Sequence, residues 1–133
     1  MKYIFILTIF LLSSFNTSNS NVKEVVDKVS HSFKKGNSEL LTATLDTHVE
    51  LTIESEKISY PRISSERAGM ILSSFFKSNP PLSFKYLYQG NTSDDLKYCV
   101  ANYTSGKDFL VYMLIKKDSH QRFVVKSLQV KES

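Results

Sequence analysis

The chain has 133 residues, a net charge of +4, 41% hydrophobic residues and one cysteine, enough for one domain with a core of its own. Lone Cys99 excludes an intrachain disulfide, so packing must carry the stability. Lysines and arginines are scattered, with no aromatic-interleaved basic stripe, which excludes a nucleic-acid groove of the ordinary kind.

Met1-Lys2, an apolar run from Tyr3 to Leu12 and the small polar stretch SSFNTSNS have the three-part shape of a secretory signal peptide. The run is too short to cross a bilayer, which takes roughly 20 residues. Cleavage is expected after Ser20, leaving residues 21–133 as one exported, periplasmic or secreted domain with no stable membrane insertion.

From Val22, the residues Val22, Val25, Val26, Val29 and Phe33 share one helical face. Asn21 and Glu24 resemble a capping box, and Gly36 suits the position after the helix. Asn37-Ser38 starts a short second helix carrying Leu40, Leu41 and Leu45. Val49, Leu51 and Ile53 then alternate with polar residues as a strand with one wet face, and Ser55-Glu56 turns it into a short strand, Lys57 to Tyr60, which Pro61 is expected to end. Next comes the main amphipathic helix. Ser64 caps it, Ala68, Ile71, Leu72, Phe75 and Phe76 line one face, and Asn79-Pro80-Pro81 stops it. Four strands follow: Ser83 to Tyr88, Leu96 to Thr104, Phe109 to Ile115 and Arg122 to Val130. They are expected to pair antiparallel, and the third, apolar on both faces, is expected to be central and covered on two sides.

This α+β order resembles the nuclear transport factor 2-like, cystatin-like cone, in which a curved antiparallel sheet wraps a long helix. The local motifs are similar to those of an uncharacterised-domain family of small secreted Bacteroidetes proteins. The matching residues are Phe33-Lys34-Lys35-Gly36-Asn37 with Leu40-Leu41, Val49 to Ile53, Tyr60, Ala68, Phe75 to Pro81 with Phe84, Gly90 and the strands from Phe109. The resemblance implies the fold, export and no established activity.

A superfold does not decide function, so the residues must. One reading is a non-catalytic binding or interaction module whose cone holds a small apolar or amphipathic ligand between Phe75, Phe76, Phe84, Tyr86, Phe109 and Met113. A homodimer through the outer sheet face is a further expectation, motivated by the two-sided apolarity of Phe109 to Ile115. The alternative is a cofactor-free enzyme of the ketosteroid-isomerase or polyketide-cyclase kind. There Asp46 or His48 would act as general base, with Tyr60, Tyr86, Tyr88 or Tyr112 stabilising an oxyanion. His31, His48 and His120 have no zinc-type spacing, and there is no phosphate loop or nucleophile elbow, so no metal or cofactor is expected.

Overall fold

The structure, a computed structural model, describes residues 21–133; the expected leader, residues 1–20, lies outside them. Helix α1 (Val22–Lys35) begins where the Asn21 side chain accepts the Glu24 N–H at 2.9 Å and ends at Gly36, whose φ of +63° is the left-handed conformation glycine adopts without strain. Helix α2 (Ser38–Thr42) is capped in the same way by Asn37. Strand β1 (Leu45–Ile53) passes through a single helical turn, Glu54–Glu56, into strand β2 (Ile58–Ser64). Helix α3 (Ser65–Ser78) starts on the Ser64 hydroxyl, which accepts the Arg67 N–H at 3.2 Å, and stops at Asn79 before the two prolines. Strands β3 (Ser83–Ser93), β4 (Leu96–Thr104), β5 (Asp108–Lys117) and β6 (Phe123–Glu132) complete the chain.

The six strands form one sheet in the order β2-β1-β6-β5-β4-β3. All neighbours are antiparallel except β1 and β6, which run parallel. The sheet is therefore mixed where an antiparallel one was expected, because the four-strand meander brings its last member back alongside β1 in the same direction. Strand β2 also runs past Pro61 to Ser64. It is an edge strand, where a proline nitrogen removes no ladder hydrogen bond, and the register shifts at this point, Val49 facing Ile63 and Leu51 facing Tyr60.

The three helices cover one face of the sheet, α1 against β3 and β6 and α3 against β1 and β2. That side holds the core: Val29, Phe33, Leu41, Leu51, Ile53, Leu72, Phe75, Tyr103, Phe109, Ile115 and Leu128 are all fully buried. Alternation fixes the rest. Phe109, Val111, Met113 and Ile115 point inward and are buried, whereas Leu110, Tyr112 and Leu114 point outward and are only half-buried. Strand β5 is central, as expected, but only one of its faces is covered.

Candidate functional site

The side chains expected to line a ligand cavity pack against one another. Phe33 stacks on Phe84 with ring centroids 4.8 Å apart and planes 12° from parallel, and Phe75 meets Phe109 edge-on at 5.3 Å. Phe76 and Tyr103 close the cluster with contacts of 5.5 and 5.6 Å to Phe33. Phe75, Phe76, Phe84, Phe109 and Met113 are buried. Partly buried Tyr86 donates its hydroxyl to the Val26 carbonyl at 2.9 Å, and burial raises its pKa far above the ordinary tyrosine value. These six residues build core, and none of them lines any of the three recesses described below. Helix and strand residues that face each other fill the space between them unless something holds them apart.

The polar candidates lie elsewhere. Asp46 accepts from Lys126 Nζ at 2.5 Å and from the Thr47 N–H at 2.8 Å. Burial works to raise its pKa, but these hydrogen bonds and the lysine charge outweigh it and hold the carboxyl below its ordinary value. A carboxylate so neutralised makes a poor general base. His48 is exposed on the outer face, with its Nδ1 3.3 Å from an Arg62 guanidinium nitrogen. Tyr60 is exposed, Tyr88 is more so, and Tyr112 lies beneath Lys131 with the ammonium 5.6 Å from its ring. No hydrogen bond joins any two of Asp46, His48, Tyr60, Tyr88 and Tyr112. Among the described residues no three His, Cys, Asp or Glu groups are placed to hold a metal ion. Cys99 is buried, and that burial raises its pKa, which keeps it in the unreactive thiol form.

Three recesses stand out among the described residues. One, about 480 Å³, is an open groove between α2 and α3 lined by Ser38, Glu39, Thr42, Glu66, Gly69, Met70 and Ser73. A second, about 270 Å³, lies between α1 and the starts of β1 and β6, with Val25, Leu45 and Phe123 beside Glu24, Lys28 and Arg122. The third is only about 130 Å³. The histidines and the polar candidates line none of them.

The outer face of the sheet has a different character. The register sets Tyr88, Val100 and Tyr112 in one row and Gly90, Tyr98 and Leu114 in the next, with Leu110 adjoining. Tyr88 is 56% exposed and Tyr98 38%, and Val100, Leu110, Tyr112 and Leu114 are half-buried. The Tyr88 ring lies over Gly90, where a β-carbon would collide with it, so glycine is the residue that fits there. Tyr88 and Tyr112 are sequence candidates for an oxyanion site, and Leu110 and Leu114 belong to the two-sided apolar run from which a homodimer is expected. The outward half of β4, Tyr98 and Val100, carries the rest of the signal.

The architecture is that of the cystatin-like and NTF2-like α+β proteins. Residues 26–131 match the family described as domain of unknown function DUF4783, and the chain belongs to that family. A DUF4783 protein from Bacteroides uniformis is similar in structure at a TM-score of 0.72 and 22% identity, over 80% of this chain and 95% of its own. One from Bacteroides ovatus gives 0.71 and 20%, over 80% and 93%. An NTF2-like protein of unknown function from Silicibacter pomeroyi reaches 0.63 at 8% identity, over 84% and 92%. No curated protein matches the sequence.

Proposed function

We propose that this domain is a non-catalytic interaction module that pairs with a second copy of itself through the outer face of β3, β4 and β5. The observation that carries the reading is the contiguous patch of Tyr88, Tyr98, Val100, Leu110, Tyr112 and Leu114, set against an interior filled by its own rings. At about 4.8 Å between strands and about 3.3 Å per residue the patch spans roughly 200–250 Å². Its contiguity and its rim of polar residues support an interface.

The experiment is light scattering across a concentration series with wild type, Tyr112→Lys and Leu114→Lys. Wild type is expected at dimer mass and both variants at monomer mass. A wild type that stays monomeric at high micromolar concentration overturns the reading. Export belongs to the same proposal, supported by the sequence of residues 1–20: mass spectrometry of the protein recovered from its source is expected to find Asn21 as the first residue, and an uncut chain overturns it.

A further inference from the structure

Strand β6 starts before β1 runs beside it. Val125 is its first residue with a partner in β1, Leu45, and the Val125 N–H donates to the Thr44 carbonyl at 2.8 Å. The N–H and C=O of Phe123, two residues earlier, point the same way, because these groups alternate from side to side along a strand. The opposite side belongs to β5, where Phe123 faces Lys117. On the β1 side the Phe123 amide makes no hydrogen bond among the described residues, and the Thr44 N–H, next in line, turns back to the Leu41 carbonyl at 3.0 Å. The recess of about 270 Å³ occupies this gap, lined by Phe123 itself, Val124, Leu45 and residues of α1.

The side chains around the recess repeat this pattern of unused groups. Lys23 and Asp27 pair at 2.8 Å across one turn of α1. Glu24 and Lys28 have the same spacing and both line the recess, yet no salt bridge joins them to each other or to another described residue. Arg122 donates from Nε and Nη2 to Asp118 Oδ2 at 3.3 and 3.1 Å, so its charge is already matched. Val25, Leu45 and Val124 are buried and supply an apolar floor. Among the described residues the recess thus offers one unpaired cation, one unpaired carboxylate, and the N–H and C=O of one open amide. A few placed polar groups on an apolar wall are the make-up of a small-molecule site.

We propose that this recess binds a free α-amino acid with an apolar side chain. Its carboxylate takes Lys28 and the Phe123 N–H, its ammonium takes Glu24 and the Phe123 C=O, and its side chain lies on Val25, Leu45 and Val124. Charge selects this ligand. Glu24 and Lys28 balance each other, so a molecule with a single charge leaves one of them unmatched, whereas a zwitterion meets both. Size excludes a helix of a partner chain, which is about 10 Å across. None of the lining residues belongs to the patch proposed for self-pairing, so the site stands if that pairing fails.

The test titrates L-leucine into ¹⁵N-labelled protein at neutral pH, beside 4-methylpentanoate, which lacks the amine, and 3-methylbutylamine, which lacks the carboxylate. Leucine is expected to shift the amides of Val25, Leu45, Phe123 and Val124 with a Kd of about 1 mM or tighter, in the range its size allows. Each analogue is expected to bind about tenfold more weakly. Glu24→Gln is expected to weaken leucine about fivefold and to spare 4-methylpentanoate; Lys28→Met is expected to weaken leucine as much and to spare 3-methylbutylamine. Both positions are exposed, so the variants keep their fold, and Lys28→Arg is expected to keep leucine binding. An analogue that binds as tightly as leucine overturns the inference. Shifts that map to the groove between α2 and α3 overturn it too, as does a leucine titration without shifts up to roughly 20 mM. Variants that weaken all three molecules alike also overturn it, because the two charges would then hold the wall of the recess and not the ligand.

Discussion

The hydroxyl of Tyr103 donates to the carbonyl of Asn79 at 2.5 Å, tying β4 to the residue that ends α3. Next to it the Ser105 hydroxyl donates to the Pro80 carbonyl at 2.7 Å, and the Asn79 side chain folds back to the Phe75 carbonyl at 3.1 Å. Pro81 packs against Gly36, where a β-carbon would come within 3.2 Å of the ring. The run Phe75 to Pro81 is thus a fastening among α1, α3 and β4. That accounts for the motif without chemistry.

Tyr103→Phe keeps the buried ring and removes this bond. The Asn79 carbonyl then has one partner fewer in a partly buried place, which costs about 0.5–1.5 kcal/mol. Burial also pushes the Tyr103 hydroxyl up to about 12, so it stays protonated and donating across ordinary pH. The urea midpoint of Tyr103→Phe is expected to fall with an unchanged slope, and Ser105→Ala to fall less. A Tyr103→Phe midpoint equal to wild type would remove the bond from the account.

Gly69 and Thr42 give a second prediction, in which the sign matters more than the size. Glycine inside a helix costs about 1 kcal/mol relative to alanine, so Gly69→Ala would ordinarily stabilise α3. Here the added β-carbon would collide with Thr42 Oγ1, whose hydroxyl donates to the Ser38 carbonyl at 2.6 Å. Gly69→Ala is therefore expected to destabilise wild type and to stabilise a Thr42→Ala background. A double-mutant cycle by thermal unfolding measures this, and the same sign in both backgrounds refutes the contact.

How far the sequence carried these conclusions depends on the distance over which each is decided. The caps at Asn21, Asn37 and Ser64, the left-handed Gly36 and the proline stop depend on neighbours within four residues, and all could be read directly. Pro61 could not, because whether a proline ends a strand or sits within one depends on whether that strand is an edge. The parallel pairing of β1 with β6 depends on where the last of four later strands comes to rest. The pairing of Asp46 with Lys126 joins positions 80 residues apart, so periodicity placed the carboxylate near a strand start and gave no sign of its cation. The sharpest divide falls in the interior. Phe75, Phe76, Phe84 and Phe109 would show the same pattern lining a cavity or filling one, and only the distances between their rings distinguish the two.

That distinction leads to a third prediction. Phe75→Ala removes a fully buried ring and is expected to cost about 3–5 kcal/mol, a large share of the roughly 5–15 kcal/mol that holds a domain together. The space left is apolar and should stay dry. Benzene is therefore expected to raise the melting temperature of Phe75→Ala while leaving wild type unmoved. A rise of equal size in wild type would mean that the interior already holds a void.

The fourth prediction concerns acid. Because folding lowers the Asp46 pKa, the carboxylate contributes stability above its unfolded value of about 3.9, and that contribution is lost as the pH falls through the lower folded value. The Lys126 side chain is 39% exposed, so solvent screens the pair and its contribution stays below about 1 kcal/mol. Asp118, held low chiefly by the Arg122 N–H, loses its contribution over the same acid range. It does so in wild type and in Asp46→Asn alike, so the difference between the two proteins isolates Asp46. Unfolding free energies from pH 7 into acid are expected to show Asp46→Asn slightly less stable at neutral pH, with the two curves converging as the pH falls through the lowered folded value of Asp46. Curves that stay parallel across the whole range would mean that the Lys126 pair does not set the acid limb. A variant more stable than wild type at pH 7 would mean that the carboxylate is strained where it stands, the condition under which a catalytic reading of Asp46 would regain force.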